Sequence, residues 1–338
     1  MEAEKLVNQF PFYLQWHITE RCNLRCQHCY LNKYTEEGEF KILKKDFLKI
    51  EQLAKSLGRK LIIAIIGGEP LLHPSLFPLL EYLNTRNTIK EIRLVSNGTL
   101  LTEQFAVRFG QLNIKKLQIS LDGIEKTHNK IRGKSSFKKA INGIKVAHKY
   151  GLRVSVHMVI NKKNINEVED VLKILKALDV NEVSFSLFVP TGREISLKNL
   201  VLSPIETRKL FINLEKFSYR YKRPKILKHR PLWCLVNKRE GGVCDFYSGV
   251  CLMSNGDLYP CSRLPISIGN IRTQGILEIW HNSDFMRLHK NPENLKGRCR
   301  NCPFLNQCRG CRAMAFAYYN DSLMEDPTCW LNQKSIRT

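Results

Sequence analysis

The chain has 338 residues, of which 43% are hydrophobic and 25% charged, a globular composition with room for two domains that excludes intrinsic disorder. Its formal charge of +23 comes from Lys and Arg spread along the whole chain, which argues against a nucleic-acid footprint and for an acidic small molecule or peptide as partner. No apolar signal core opens the sequence, and the longest apolar run, Leu61 to Ile66, is too short for a bilayer; a cytoplasmic protein with no membrane partner is expected.

Short β-rich apolar runs alternate with amphipathic stretches, the pattern of repeated βα units around a parallel sheet. Strands are expected at Leu14–Ile18, Leu61–Ile66, Ile92–Ser96, Lys116–Ser120, Arg153–Val159 and Glu182–Leu187. Helices are expected between them, at Lys45–Leu57, Ser75–Leu83, Thr102–Phe109, Phe137–Tyr150 and Asn164–Leu178. Each strand runs into a polar segment bearing Gly, Asn or Cys, and loops at the carboxyl ends of barrel strands build one mouth. From 201 to 240 the text turns basic and loses its strand rhythm, which reads as a helical linker. Beyond Gly241 turns dominate, with a hairpin signal at Ser254-Asn255-Gly256-Asp257 and one or two helical turns at Ile276–His281. The expected architecture is α/β: a partial (β/α)6 barrel over residues 1–200, the linker, and a small cysteine-rich α+β domain over 241–338 that bound metal holds together.

The twelve cysteines call for metal or cluster ligation in a reducing compartment. They fall into two groups, three between Cys22 and Cys29 and nine between Cys234 and Cys329. Cys22, Cys26 and Cys29 have the spacing C-x3-C-x2-C after the first strand. Three thiolates can hold a cubane cluster with one iron left open, whereas structural zinc takes four ligands. On the triplet alone, a zinc knuckle completed by His28 and plain buried thiols stay open as alternatives.

The run Trp16-His17-Ile18-Thr19-Glu20-Arg21-Cys22-Asn23-Leu24-Arg25-Cys26-Gln27-His28-Cys29-Tyr30, followed one strand later by Gly67-Gly68-Glu69-Pro70, closely resembles the signature of the radical S-adenosylmethionine (SAM) superfamily. The resemblance implies a [4Fe-4S] cluster on Cys22, Cys26 and Cys29, SAM chelated to the open iron, a 5′-deoxyadenosyl radical that takes hydrogen from substrate, and a low-potential electron donor such as ferredoxin or flavodoxin. Gly67 and Gly68 are expected to permit close backbone approach to the ligand, and Glu69 to accept hydrogen bonds from the SAM amine. Further similar segments are Ser96-Asn97-Gly98-Thr99, Ser120-Leu121-Asp122-Gly123 with Arg132, and Val189-Pro190-Thr191-Gly192-Arg193. By the resemblance Ser120 and Arg132 meet the SAM carboxylate, Asn97 the ribose and Val189 the adenine. Turn chemistry alone makes Asp122 a turn acceptor in Asp-Gly. His128, His148 and His157 read as surface or core histidines.

Towards the C-terminus stand Cys244, Gly256-Asp257-Leu258-Tyr259-Pro260-Cys261, then Cys299-x2-Cys302-x5-Cys308-x2-Cys311, and Cys329. This order resembles the SPASM domain of radical SAM enzymes, although C-x2-C pairs alone also fit a zinc ribbon. The resemblance implies two auxiliary iron–sulfur clusters. Cys299, Cys302, Cys308 and Cys329 would hold one; Cys244, Cys261 and Cys311 belong to the other, its fourth ligand open between Cys251 and Cys234. The stretch Gly310 to Ala317 and the upstream Gly269-Asn270-Ile271 are most similar to peptide-maturase and haem-pathway subgroups. Sulfatase maturases carry an Asp where this chain has Ser262, so formylglycine formation is not expected. Because 21 residues precede Cys22, a separate protein would supply leader recognition for a peptide substrate. The expected function is peptide modification such as cross-linking or epimerisation. The first alternative is oxidative or decarboxylative modification of a tetrapyrrole or related cofactor precursor. The second, a non-catalytic metal-stabilised nucleic-acid-binding protein, sits poorly with an open three-cysteine site.

Overall fold

The computed structural model describes residues 10–31, 38–112, 114, 116–192 and 196–331; Arg193 lies outside them. Six strands, β1 (Phe12–Thr19), β2 (Leu61–Gly67), β3 (Ile89–Ser96), β4 (Lys116–Ser120), β5 (Val154–Ile160) and β6 (Glu182–Leu187), are parallel neighbours in chain order. Between them run α1 (Phe40–Ser56), α2 (Leu76–Asn84), α3 (Glu103–Gln111), α4 (Glu125–Arg132) with α5 (Ser136–Lys149), and α6 (Val168–Ala177). The alternation of β1 explains its placement. Phe12, Leu14, Trp16 and Ile18 are wholly buried, and Trp16 stacks on Phe47 of α1 with ring centroids 6.4 Å apart. Tyr13, Gln15 and His17 take the opposite face, as the two-residue period requires.

Helix α4 was not expected from the sequence. Its residues Glu125 to Arg132 show no apolar stripe, because its buried face is made by His128, Ile131 and Arg132. The segment from 201 to 240 also departs from a helical linker. Helix α7 (Pro204–Arg220) opens on a capping box of Ser203 and Glu206, but β7 (Lys225–Leu227) then pairs parallel with β6. A strand of 3 residues is too short for alternation to show in sequence.

The cysteine-rich segment joins the same sheet. Strand β8 (Gly249–Leu252) pairs parallel with β1, Tyr13 opposite Gly249 and Trp16 opposite Leu252. Its hairpin partner β9 (Asp257–Tyr259) and then β10 (Gly269–Asn270) follow antiparallel, giving one 10-stranded sheet in the order β10-β9-β8-β1-β2-β3-β4-β5-β6-β7. Beyond it lie α8 (Ile276–Asn282), α9 (Asp284–Lys290) and α10 (Arg312–Tyr319). Trp280 of α8 meets Phe12 edge-on at 5.4 Å, and Arg272 pairs with the buried Asp46 of α1 at 2.7 Å. Among the described residues no helix is long and apolar enough to cross a membrane.

Candidate active site

Strand β1 ends at Thr19, and the chain then crosses the carboxyl ends of the parallel strands with Cys22, Cys26 and Cys29. Three backbone bonds, two from the segment after β2 and one to α4, fix this loop: Gly68 N–H donates to Thr19 O at 2.9 Å, Glu69 N–H to Arg21 O at 2.8 Å, and Gln27 N–H to Ile131 O of α4 at 2.8 Å. The two glycines are required by that crossing. A Cβ at Gly67, where φ is +145°, would lie 2.1 Å from Thr19 O, and one at Gly68 would lie 2.1 Å from Arg21 O. At both positions a side chain would run into the chain's own backbone, so only glycine lets the loop after β2 lie this close to the cysteine loop.

Glu69 follows, wholly buried. Its carboxylate accepts from Ser96 Oγ at 2.8 Å, Asn97 N–H at 2.7 Å and Leu71 N–H at 3.2 Å. Burial nevertheless pushes its pKa up to about 7. A group in that state can meet a cationic amine or hold a proton near neutrality. Asn97, after β3, turns its amide to Asn23 Oδ1 at 2.8 Å and towards Cys22 Sγ at 3.9 Å, tying itself to the cysteine loop.

Asp122 is not the turn acceptor that its sequence context suggested. The side chain is wholly buried; Oδ1 accepts Val159 N–H at 2.8 Å, and Oδ2 meets both Arg132 Nε and, at 2.6 Å, His28 Nε2. Burial disfavours its charge, but Arg132 and His28 hold the carboxyl well below the ordinary range. Arg132 reaches on to Cys26 Sγ, 3.9 Å from Nη1. His28 is thus committed to Asp122 through one nitrogen, while its Nδ1 is enclosed without a partner. His128 and His157 are interior: His128 Nδ1 accepts Asp122 N–H at 3.1 Å, and His157 bridges Ser184 and Ser186. Ser120 closes β4, half-buried, and Val189 is buried just beyond β6.

The donor set suits a cationic group. Burial pushes the Cys22 thiol up to about 11 and raises Cys26 as well, so thiolates there need positive charge beyond what Arg132 gives. Among the described residues no three His, Cys, Asp or Glu side chains converge as ligands of a single ion; thiolates bound to separate irons of a cubane need not converge.

In the C-terminal region, Cys299, Cys302, Cys308 and Cys329 line one apolar cavity. Cys234 stands against Cys308, beside this set. Cys244, Cys261 and Cys311 influence one another's charge as a second group. Cys251 is wholly buried on β8, its sulfur 3.8 Å from Met253 Sδ, and packs with Leu31, Cys29 and Tyr30. It also lies in electrostatic reach of Cys261. Of the two candidates for the missing ligand, Cys251 accompanies Cys261 and Cys234 accompanies the other set.

Two arginines were missed by sequence reasoning. Arg312, 1% exposed, puts Nη2 3.7 Å from Cys299 Sγ and gives its backbone N–H to the Cys244 sulfur. Arg263 bonds towards Cys261. The signal was available, since each follows a cysteine within two residues and clustered thiolates need buried cations. A cavity opens between the two halves, lined by Phe185, Val189, Phe211, Trp233, Arg230 and Cys311 among others.

Comparison with known proteins agrees with this geometry. A family model described as the radical SAM superfamily matches residues 16–175, and the SPASM model, described as an iron–sulfur cluster-binding domain, matches residues 244–303. The AdoMet-dependent heme synthase of Methanosarcina barkeri is 30% identical over 94% of this chain and 96% of its own. The mycofactocin maturase MftC of Mycobacterium tuberculosis is 26% identical over 96% of this chain and 86% of its own. The solved structure of anSMEcpe with bound AdoMet and Cp18Cys peptide shares the fold at a TM-score of 0.77, with 22% identity and 94% of each chain covered. This chain belongs to the radical SAM superfamily, whose cofactors are a [4Fe-4S] cluster and SAM, and carries a SPASM iron–sulfur cluster-binding domain.

Proposed function

We propose that the enzyme modifies a carboxylate-bearing side chain of a tetrapyrrole or related cofactor precursor. The carrying observation is the cavity between the ends of β5 and β6 and the C-terminal cysteines: its walls are apolar and aromatic, and two arginines, Arg230 and Arg263, enter it. The chemistry of the lining, apolar and aromatic with two guanidinium groups, matches an apolar ring with acidic substituents. Similarity to a heme synthase over nearly the whole of both chains supports the same class. Peptide modification, the function expected first from sequence, becomes the second reading, supported by the similarity to MftC.

In this reading Cys22, Cys26 and Cys29 hold the [4Fe-4S] cluster, and Gly67, Gly68, Glu69, Asn97, Ser120, Arg132 and Val189 surround SAM. Cys299, Cys302, Cys308 and Cys329 hold one auxiliary cluster, and Cys244, Cys251, Cys261 and Cys311 a second. When bound, the first cluster and SAM together supply hydrogen-atom abstraction. Glu69 offers an acceptor for the amine, Asp122 holds the Arg132 guanidinium in place beside the loop, and the cavity walls exclude water. The basic chain suits an acidic low-potential electron donor such as ferredoxin or flavodoxin.

The test is anaerobic incubation of the reconstituted enzyme with SAM, reductant and an iron porphyrin bearing propionates, followed by mass spectrometry. Loss of carbon dioxide and two hydrogens, or gain of oxidation on a side chain, is expected. An unchanged porphyrin alongside a modified candidate peptide would move the assignment to the second reading. Ser262, beside Tyr30, offers no carboxylate base, so a sulfatase-motif peptide should gain no aldehyde.

A further inference from the structure

We propose that Arg230 is the residue that receives a substrate carboxylate in the cavity between the barrel and the SPASM region. This rests on reading that cavity as the substrate site. The argument is one of elimination among its polar groups. Ser186 Oγ is engaged by His157 Nε2 at 3.0 Å. Asp326 accepts Cys311 N–H at 2.7 Å, Thr328 N–H at 2.9 Å and Thr328 Oγ1 at 2.6 Å. Arg263 turns to Leu187 O at 3.4 Å and to the Cys261 sulfur. Arg230 is different. Its Nε is enclosed and has no hydrogen-bond partner, and the largest influences on its charge are burial, Arg263 and the Cys261 and Cys311 sulfurs.

Arg230 is half-buried, and its guanidinium among Phe185, Phe211, Trp233 and Pro231 is partly stripped of water. The loss of water shows in its acidity: burial, with repulsion from Arg263, lowers the Arg230 pKa to about 10. The Cys261 and Cys311 sulfurs offset part of this, and they are also what the positive charge would serve if Arg230 were only an electrostatic partner of a cluster. Hydrogen bonding favours the ligand role, because Arg263 already bonds towards Cys261 while Arg230, which lines the cavity, keeps an unpartnered Nε, and a guanidinium matches a carboxylate. The chemical class follows: an apolar, flat acid whose ring rests on the aromatic wall while one carboxylate reaches Arg230.

Binding to the reconstituted protein is measured by fluorescence for two pairs of probes, coproporphyrin III and its tetramethyl ester, and 1-pyrenebutyrate and its methyl ester. Wild-type protein should bind each acid at least about tenfold tighter than its ester, the size of one charge-assisted hydrogen bond. Arg230→Gln should lose that preference and leave ester affinity and iron content unchanged. Arg230→Lys should retain part of it, since charge persists without the fork. Retained acid preference in Arg230→Gln overturns the assignment while leaving the tetrapyrrole reading intact. So does a fall in cluster iron or a changed visible spectrum with acid binding unaltered. Preference for pyrenebutyrate that depends on Arg230, with no porphyrin binding, supports the assignment and removes the tetrapyrrole reading. Binding of neither acid overturns both.

Discussion

Around Cys22 to Cys29 the cysteine loop is held by backbone bonds to its neighbours, whereas around Cys299 to Cys329 four thiols line one apolar cavity. The first loop is stitched to the segment after β2 and to α4, and beneath it lies the buried Asp122–Arg132–His28 group. The second set sits on turns and short 3-10 segments such as Gly297–Cys299, and its four thiols face an apolar space. The difference separates reactivity from stability. On the proposed ligand sets, losing the first cluster is expected to leave the fold in place, while losing the second is expected to loosen the C-terminal region.

The sharpest way to break this contrast is to remove ligands from each region. Replacing Cys22, Cys26 and Cys29 together by Ala should abolish formation of 5′-deoxyadenosine from SAM while the thermal transition barely moves. Cys299→Ala or Cys308→Ala should instead expose residues 297–331 to limited proteolysis and stop substrate modification, with some uncoupled SAM cleavage left. Cleavage that survives the triple variant, or a C-terminal region that stays resistant in the single variants, removes the distinction. Next in size is the buried charge under the first loop. Asp122→Asn leaves Arg132 without its counter-ion and should cost about 4 kcal/mol in denaturant unfolding. Its pH signature has a definite sign: a depressed carboxyl stabilises above the ordinary value near 4 and loses that contribution as pH falls through the folded value.

Glu69 gives the opposite sign and a somewhat smaller effect. Its pKa is raised to about 7 from 4.5, so the fold favours its neutral form. Stability should then fall by about 3 kcal/mol as pH rises from 4.5 to 7 and stay level above, and Glu69→Gln should flatten that slope. The smallest change belongs to Asp326, which is wholly buried like Asp122 but accepts only backbone N–H groups and a hydroxyl. Asp326→Asn should cost about 2 kcal/mol, since one oxygen becomes a donor facing donors. If Asp326→Asn proves costlier than Asp122→Asn, the C-terminal region carries more scaffold of its own than its turns suggest.

Much of this was legible in the sequence. The six parallel strands were readable because buried strands are apolar runs bounded by turn residues, and the cysteine loops because ligand spacing is local. What could not be read were relations between distant segments. Nothing in Gly249 to Leu252 says that it pairs with Tyr13 to Trp16, and nothing in Gly67-Gly68 says that the chain's own backbone at Thr19 and Arg21 lies against both glycines. Helix α4 was hidden because its inner face sets His128 and Arg132, polar types that pattern reading sends outward, beside the single apolar Ile131. Asp122 was misread for a related reason: its partners are 10 residues away at Arg132 and 94 away at His28.

The pairing of β8 with β1 has a consequence for how the protein is made. The first strand leaves the ribosome long before Gly249, and at ordinary elongation rates the interval is on the order of tens of seconds. For that time the nascent chain holds one edge of its earliest strand without a permanent neighbour, an edge flanked by Leu14 and Trp16 and open to pairing with other chains. A fragment ending near residue 240 would keep that edge for good. Expressed alone, such a barrel is expected to aggregate, and co-expression with a segment carrying Gly249 to Leu252 should rescue it if that strand is what closes the edge.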